Sequence, residues 1–122
     1  MATVDLTKEN FEQVVTGNAV VIVDFWAPWC APCRAFAPTF EQASEKHADV
    51  VFAKVNTEEQ QEVAGAFNIR SIPTLMVFRE KVILYAEAGS LPAAALEQVI
   101  SQAKGVDMSA VHREIAERGA GA

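Results

Sequence analysis

The feature that most constrains this chain is a pair of cysteines three positions apart, at the predicted junction of a strand and a helix. Cys30 and Cys33 are the only cysteines among its 122 residues. They follow an apolar, valine-rich segment over residues 19–26, which predicts a strand covered on both faces. They open a segment with helical periodicity over about residues 32–47. With this spacing, a thiol at the first turn of the helix can reach a thiol one turn further in and close a disulfide.

The predicted start of the helix favours a thiolate at Cys30. A helix N-terminus presents unpaired backbone N–H groups and the positive end of the helix dipole, and both stabilise a negative charge. Pro32 suits the first helical turn because its missing N–H costs no hydrogen bond there. We therefore predict that Cys30 is the nucleophile and that Cys33 is the more buried thiol that resolves a mixed disulfide.

Two other interpretations of the cysteine pair stay open at this point: half of a zinc site, or two buried apolar side chains without chemistry. His47 and His112 are the only other soft ligands in the sequence, and neither has ligand-like spacing to the cysteines. The preceding strand, the two tryptophans Trp26 and Trp29, and the internal Pro32 favour a redox pair. We predict no metal site.

The charge and composition of the chain exclude several classes of partner. Apolar residues make up 51% of the sequence, which suits one globular domain that buries roughly two-thirds of its unfolded surface. The formal net charge of −6 disfavours nucleic acid or an anionic membrane as a partner. The sequence shows neither a signal-peptide pattern nor an apolar run near the ~18 residues of a membrane span. We expect an intracellular, reducing location, where such a cysteine pair is a redox centre or a metal site and not a structural crosslink.

Strands and helices alternate along most of the chain and then give way to a hairpin and a final helix. Helices between strands imply parallel pairs with right-handed crossovers, and the hairpin adds an antiparallel edge. The sequence therefore predicts an α/β fold with one mixed central sheet and helices on both faces. The predicted strands cover residues 4–6, 19–26, 50–55, 75–79 and 82–88.

Three more local predictions concern two helix starts and one turn. Thr7 offers an N-cap for a first helix, and the Thr-Glu-Glu-Gln sequence over residues 57–60 is typical of a capping box. Glu80 and Lys81 separate the two strands of the hairpin, but both residues are poor choices for a two-residue turn. We therefore expect a longer or irregular loop at that position.

Two charged residues interrupt otherwise apolar strands. Asp24 lies in the strand before the cysteines, and Lys54 lies in the next strand. A buried carboxylate is unfavourable unless it is paired or protonated, so burial would raise the pKa of Asp24 and make it a proton acceptor for Cys33. Lys54 would partner Asp24 if the two strands are neighbours. The alternatives are that Asp24 turns to water at the end of its strand and that Lys54 reaches solvent along its stem.

The motif WAPWCAPCR over residues 26–34, with Asp24 two positions before it, resembles the thioredoxin family, and the resemblance covers about residues 4–103. It implies the thioredoxin fold, with the strands over residues 19–26 and 50–55 adjacent at the centre of the sheet. It also implies a cytoplasmic oxidoreductase that reduces protein disulfides, is itself reduced by a thioredoxin reductase, and holds no cofactor. The partners would be that reductase and disulfide-containing client proteins, and a monomer is the plain expectation. A non-enzymatic interaction or chaperone module is the other class of function that stays open.

The resemblance also assigns the remaining site residues. Pro73 matches a cis-proline that faces the dithiol and keeps metal ions away from it, and Ile72 would offer backbone hydrogen bonds to an extended client segment. An ordinary turn proline is the alternative. Gly89 matches a glycine beside the site, where the missing side chain lets a partner approach. The other assigned residues are Trp29, Ala31 and Pro32 as client contacts, and Trp26 and Lys54 as supporting residues.

The chain departs from the family pattern at three places, one of which is Lys81, in the place of a hairpin glycine far from the chemistry. Ala31 stands where the usual thioredoxin motif has glycine, which leaves the reaction type unchanged and the redox potential open. Residues 106–122 extend beyond the thioredoxin domain, which we place at residues 1–105. In this extension Asp107 predicts an N-cap, and a short apolar stripe predicts a small helix before a disordered end over residues 119–122.

Overall fold

The computed structural model describes residues 2–121 as five strands and five helices. The strands are β1 (Thr3–Asp5), β2 (Val20–Trp26), β3 (Val51–Asn56), β4 (Thr74–Arg79) and β5 (Val82–Ala88). The helices are α1 (Phe11–Thr16), α2 (Ala31–Lys46), α3 (Gln61–Ala66), α4 (Ala93–Gly105) and α5 (Met108–Gly121). None of these helices combines the length and the apolar content that crossing a membrane requires. The bounds of every strand agree with the prediction to within one residue.

The strands form one mixed sheet in the order β1-β3-β2-β4-β5. β1, β3 and β2 run parallel to one another. β4 runs antiparallel to β2, and β5 runs antiparallel to β4. The predicted mixed sheet is confirmed, and so is the adjacency of β2 and β3. β2 is the central strand, and residues 20–25 are all buried, as its continuous apolar run requires. In the β2–β3 register Asp24 lies directly beside Lys54.

Helices cover both faces of the sheet with apolar layers. α2 and α4 cover one face, where the ring of Phe40 packs edge-on against Phe52. α1 and α3 lie on the other face, where Phe11 and Phe67 both contact Phe78. Because β2 is held between two close-packed layers, its carboxyl end has a fixed position at the point where α2 begins.

Two of the predicted helix starts are wrong, because asparagine side chains satisfy the backbone differently. α1 begins four residues after Thr7, and the side chain of Asn10 folds back so that its Oδ1 accepts a hydrogen bond from the Thr7 N–H at 2.7 Å. α3 has no side-chain N-cap. In place of the predicted capping box, Asn56 Oδ1 accepts hydrogen bonds from the N–H groups two and three residues later, at 3.0 and 3.4 Å. Asparagine side chains readily form such local hydrogen bonds to the backbone.

The turn between β4 and β5 is tighter than predicted. Only Glu80 and Lys81 separate the strands, and their φ angles are 50° and 72°. Both residues therefore adopt the left-handed conformation of a two-residue hairpin turn, which normally selects glycine or asparagine. Contacts with distant residues hold the turn: the Glu80 N–H donates to the Ala19 carbonyl oxygen at 2.8 Å, and a Glu80 carboxylate oxygen lies 3.0 Å from Nε2 of His112. The predicted longer loop is wrong because these contacts are not visible in the local sequence.

We expect Lys81→Gly to raise the free energy of unfolding by about 1 kcal/mol. Glycine avoids the steric cost of a side chain in the left-handed region, about 1–2 kcal/mol, although part of the gain is lost to its greater freedom in the unfolded chain. Urea unfolding at pH 7 measures the change. Lys46→Gly, in the last turn of α2, is the control and should lower the free energy of unfolding. A less stable Lys81→Gly protein would contradict this account of the turn.

The extension after α4 folds as helix α5. Asp107 Oδ1 accepts hydrogen bonds from the first two N–H groups that follow Met108, at 3.1 and 3.3 Å, which is the predicted N-cap. The side chain of Met108 is buried. The helix continues to Gly121 and thus includes most of residues 119–122, for which the sequence predicts disorder. Ala122 lies outside the described residues.

Candidate active site

The two cysteines lie where β2 ends and α2 begins. Cys30 is the N-cap residue of α2, and its Sγ accepts a hydrogen bond from the backbone N–H of Cys33 at 3.2 Å. The two side chains form a disulfide, with their Cα atoms 5.2 Å apart. Cys30 is 5% exposed and Cys33 2% exposed, so the predicted order holds but by a small margin. After reduction, the Cys33 N–H would stabilise a thiolate at Cys30.

The loop before β4 lies against the disulfide. The Ile72–Pro73 peptide bond is cis, and Pro73 is buried. The carbonyl oxygen of Ile72 lies 3.7 Å from Cys30 Sγ, a distance at which a reduced thiol donates a weak hydrogen bond. The loop is fixed in turn by Gly89, whose N–H donates to the Pro73 carbonyl oxygen at 2.8 Å. The β2–α2 junction, the loop before β4 and the end of β5 therefore meet at the cysteines.

The residues around the disulfide form an exposed face. Trp29 is 64% exposed, and Ala31 and Pro32 are exposed at the start of α2. Gly89 is exposed with a φ of 110°, and a Cβ added there would meet no atom within 4 Å. The backbone conformation therefore favours glycine, and the space in front of it is open. Trp26 is half-buried beneath this face.

Asp24 is a buried acid without a hydrogen-bond partner. It is 1% exposed, and neither carboxylate oxygen has a hydrogen bond within residues 2–121. Desolvation raises the pKa of Asp24 from 3.8 to about 7, and the positive charge of Lys54 opposes part of this rise. The alternative in which Asp24 turns to water is therefore excluded. The carboxyl group can bind or release a proton near neutral pH.

Lys54 is the strand neighbour of Asp24, as the predicted partnership requires, but no hydrogen bond joins the two side chains. The Nζ atom of Lys54 lies 4.7 Å from the ring centroid of Trp26, a cation–π distance. Lys54 and Trp26 line a cavity of about 290 Å³ that extends to Asn56 and Glu59. The ammonium group therefore acts on Asp24 through its field, without a hydrogen bond between them.

Two residues for which the sequence predicted no role at this site brace the turn before Cys30. Arg34 Nη1 donates to the Pro28 carbonyl oxygen at 3.0 Å. Thr57 donates to the Trp26 carbonyl oxygen twice, from its N–H at 2.8 Å and from its hydroxyl at 3.0 Å. The position of Arg34 directly after the second cysteine was the one available signal. The sequence carries no signal for the contact of Thr57, because Thr57 follows the end of β3 and its partner Trp26 ends β2.

A disulfide of this spacing, at the exposed start of a helix, can open and close while the sheet beneath it stays fixed. Asp24, which is buried in the strand that leads to the cysteines, titrates close to neutral pH. The fold and the site together define a thiol–disulfide oxidoreductase.

Comparison with known proteins narrows the class to a family. The thioredoxin family profile matches residues 2–102. A protein named as a thioredoxin 2 from Streptomyces coelicolor is 55% identical over 117 residues, which cover 96% of this chain and 87% of that protein. The thioredoxin of Bacillus subtilis is 36% identical over 103 residues, which cover 84% of this chain and 98% of that protein.

Solved structures agree with the sequence relatives. A thioredoxin from Plasmodium falciparum superposes with a TM-score of 0.77 at 35% identity, covering 82% of this chain and 98% of that chain. A mutant thioredoxin from Halobacterium salinarum superposes with a TM-score of 0.79 at 28% identity, covering 85% of this chain and 92% of that chain. The chain belongs to the thioredoxin family. The predicted thioredoxin fold and protein-disulfide oxidoreductase activity are confirmed.

Proposed function

We propose that the chain works in the reducing direction, donating electrons to disulfides of client proteins in the cytoplasm, and that a thioredoxin reductase restores its dithiol. The observation that carries the attack step is the setting of Cys30 Sγ, which accepts the Cys33 N–H at the start of α2. The reducing direction is proposed from the membership of the thioredoxin family. The helix start favours a thiolate at this sulfur, and a thiolate is the attacking species in disulfide exchange. We further propose a monomer without resident cofactor or metal, and without a nucleic-acid or membrane partner.

The proposed reaction has two exchange steps. The Cys30 thiolate attacks one sulfur of a client disulfide, the client S–S bond breaks, and the other client sulfur leaves as a thiolate and takes up a proton. Cys33 then loses its proton and attacks Cys30 Sγ, which releases the second client thiol. Two electrons pass to the client, whose two sulfurs are reduced, and the Cys30–Cys33 disulfide remains on the chain.

We assign to Asp24 the role of proton acceptor for Cys33 in the second step. With a pKa of about 7, its carboxyl group is partly ionised at neutral pH and can both accept and return a proton. No hydrogen bond within the described part of the chain occupies its oxygens. Lys54 supports this role, because its charge keeps the pKa from rising further.

We propose that the exposed face around the disulfide docks the client. Ile72 would pair with an extended client segment through its backbone, as a strand pairs at a sheet edge. Trp29 would supply apolar contact area, and the open space at Gly89 would admit the client backbone. Ala31 and Pro32 would lie under the client at the start of α2. For Pro73 we propose that its ring keeps metal ions from the reduced thiols.

We expect the Cys30–Cys33 pair to have a reduction potential well below about −180 mV, the value of protein disulfide isomerase. Equilibration with glutathione buffers, followed by alkylation and mass measurement, gives this potential. The same protein should reduce insulin with NADPH and a bacterial thioredoxin reductase. A potential at or above that of protein disulfide isomerase would contradict the reductase assignment and indicate an oxidant or isomerase.

A further inference from the structure

A groove runs beside the Ile72–Pro73 loop, on the face of the sheet that α1 and α3 cover. Its volume is about 270 Å³. Ser71 and Thr74, which flank the Ile72–Pro73 pair, line the groove where it meets the loop. β5 lines the opposite side of the groove. Most of its lining is apolar: Phe67, Ile69, Met76 and the two alanines Ala86 and Ala88. The groove is thus continuous with the loop that lies against Cys30.

The groove is locally positive in an acidic protein. Arg70 is the only charged residue of its lining, and the sequence has no Asp or Glu between positions 63 and 79. Glu87 of β5 lies on the other face of the sheet, since it pairs with Leu75, which packs in the layer of α2 and α4. The chain as a whole carries a net charge of −6. An anionic group that approaches this side of the site therefore meets one unopposed cation.

The guanidinium of Arg70 is oriented but not neutralised. Its Nε donates to Oδ1 of Asn68 at 3.3 Å, and Asn68 is itself held in the left-handed conformation with a φ of 56°. Across residues 2–121, Arg70 forms no ion pair, and its two terminal nitrogens have no hydrogen-bond acceptor. The N–H groups of these two terminal nitrogens remain free, and the planar edge between the two nitrogens matches a carboxylate.

We propose that this groove is a specificity subsite that binds an acidic side chain of the client protein close to its disulfide. The proposal rests on the proposed function, because the client must dock its disulfide at Cys30. A client segment paired with Ile72 would direct alternate side chains to one face, and the groove opens directly beside that residue. Glutamate fits best, since its methylene stem matches the apolar lining and its carboxylate reaches Arg70. Polyanions fit poorly, because the net charge of the chain repels them.

The test compares peptide substrates that differ by one charge. Each peptide carries a single cysteine linked to 2-mercaptoethanol, with Glu or Gln at one position from four before to four after the cysteine. The rate constant for reduction by the pre-reduced protein is measured for the natural chain, for Arg70→Gln, and for Arg113→Gln on the exposed side of α5 as a charge-matched control. The ratio of the rate constants for the Glu and Gln peptides should depend on Arg70 at one peptide position, or at two adjacent positions. There Arg70→Gln should lower this ratio by about two- to fivefold, the range of an exposed ion pair. The effect should shrink in 0.5 M NaCl.

The outcomes separate this inference from the function on which it rests. If all peptides are reduced but the Glu/Gln ratio is the same in the natural chain and in Arg70→Gln, the subsite is wrong and the reductase function stands. If Arg113→Gln lowers the ratio as much, the effect is one of net charge and the subsite is also wrong. If neither the peptides nor insulin are reduced by the natural chain, both proposals fail. Preference for Glu at one position, lost with Arg70→Gln alone, supports the subsite.

Discussion

Replacing Cys30 by serine should lower the rate of insulin disulfide reduction by at least about 10⁴-fold, because no other group can serve as the nucleophile. Cys33 is the only other cysteine of the chain, and it is 2% exposed, one turn inside α2. A serine hydroxyl at position 30 would keep the N-cap geometry, since it can accept the same N–H hydrogen bond that Cys30 Sγ accepts at 3.2 Å. The fold should therefore survive, and a circular dichroism spectrum checks it.

The matched control is Cys33→Ser, which should fail at the second step and not at the first. Cys30 would still attack the client, and the mixed disulfide would persist because no thiol resolves it. Mass spectrometry after mixing with a disulfide client should show this adduct for Cys33→Ser and none for Cys30→Ser. An adduct formed through Cys33 in the Cys30→Ser protein, or residual turnover near that of the natural chain, would contradict the assigned order of the two thiols.

The central parts of the site could be predicted because each depends on a short stretch of sequence. The cysteine spacing, the internal Pro32 and the preceding apolar strand all lie within about fifteen consecutive residues. Asp24 was conspicuous because an isolated carboxylate in an apolar strand has few satisfactory environments. Its burial follows from the same run that makes β2 the central strand.

Features that depend on distant contacts could not be predicted in this way. Lys54 lies beside Asp24 in the register, but its flexible side chain reaches over Trp26 instead of pairing with the carboxylate. The tight turn at Glu80 depends on contacts with Ala19, just before β2, and with His112 of α5. The groove at Arg70 is assembled from three segments that only the folded sheet brings together. None of these contacts has a local sequence signal.

Asp24→Asn should make the protein more stable, and increasingly so as the pH rises from about 4 to 7. Folding raises the pKa of Asp24 from 3.8 to about 7 through burial, so between these values the folded chain holds a proton that the unfolded chain has released. The unfolded state then binds fewer protons, and the free energy of unfolding of the natural chain falls as the pH rises. The difference between 3.8 and about 7 corresponds to a loss of roughly 4 kcal/mol, complete above about pH 8.

Asparagine cannot ionise, so the variant should escape this loss. The measurement is urea unfolding of both proteins, in the oxidised form, at several pH values from 4 to 9. The stability difference should grow across pH 4–7 and then stay constant, whereas the control Asp5→Asn, on the exposed edge of β1, should show no such growth. Parallel stability curves for Asp24→Asn and the natural chain would mean that the carboxyl group titrates normally, which would also remove its proposed role. If the curves diverge as expected but the mixed disulfide is resolved at an unchanged rate near pH 7, Asp24 is a buried acid that costs stability without accepting the proton of Cys33.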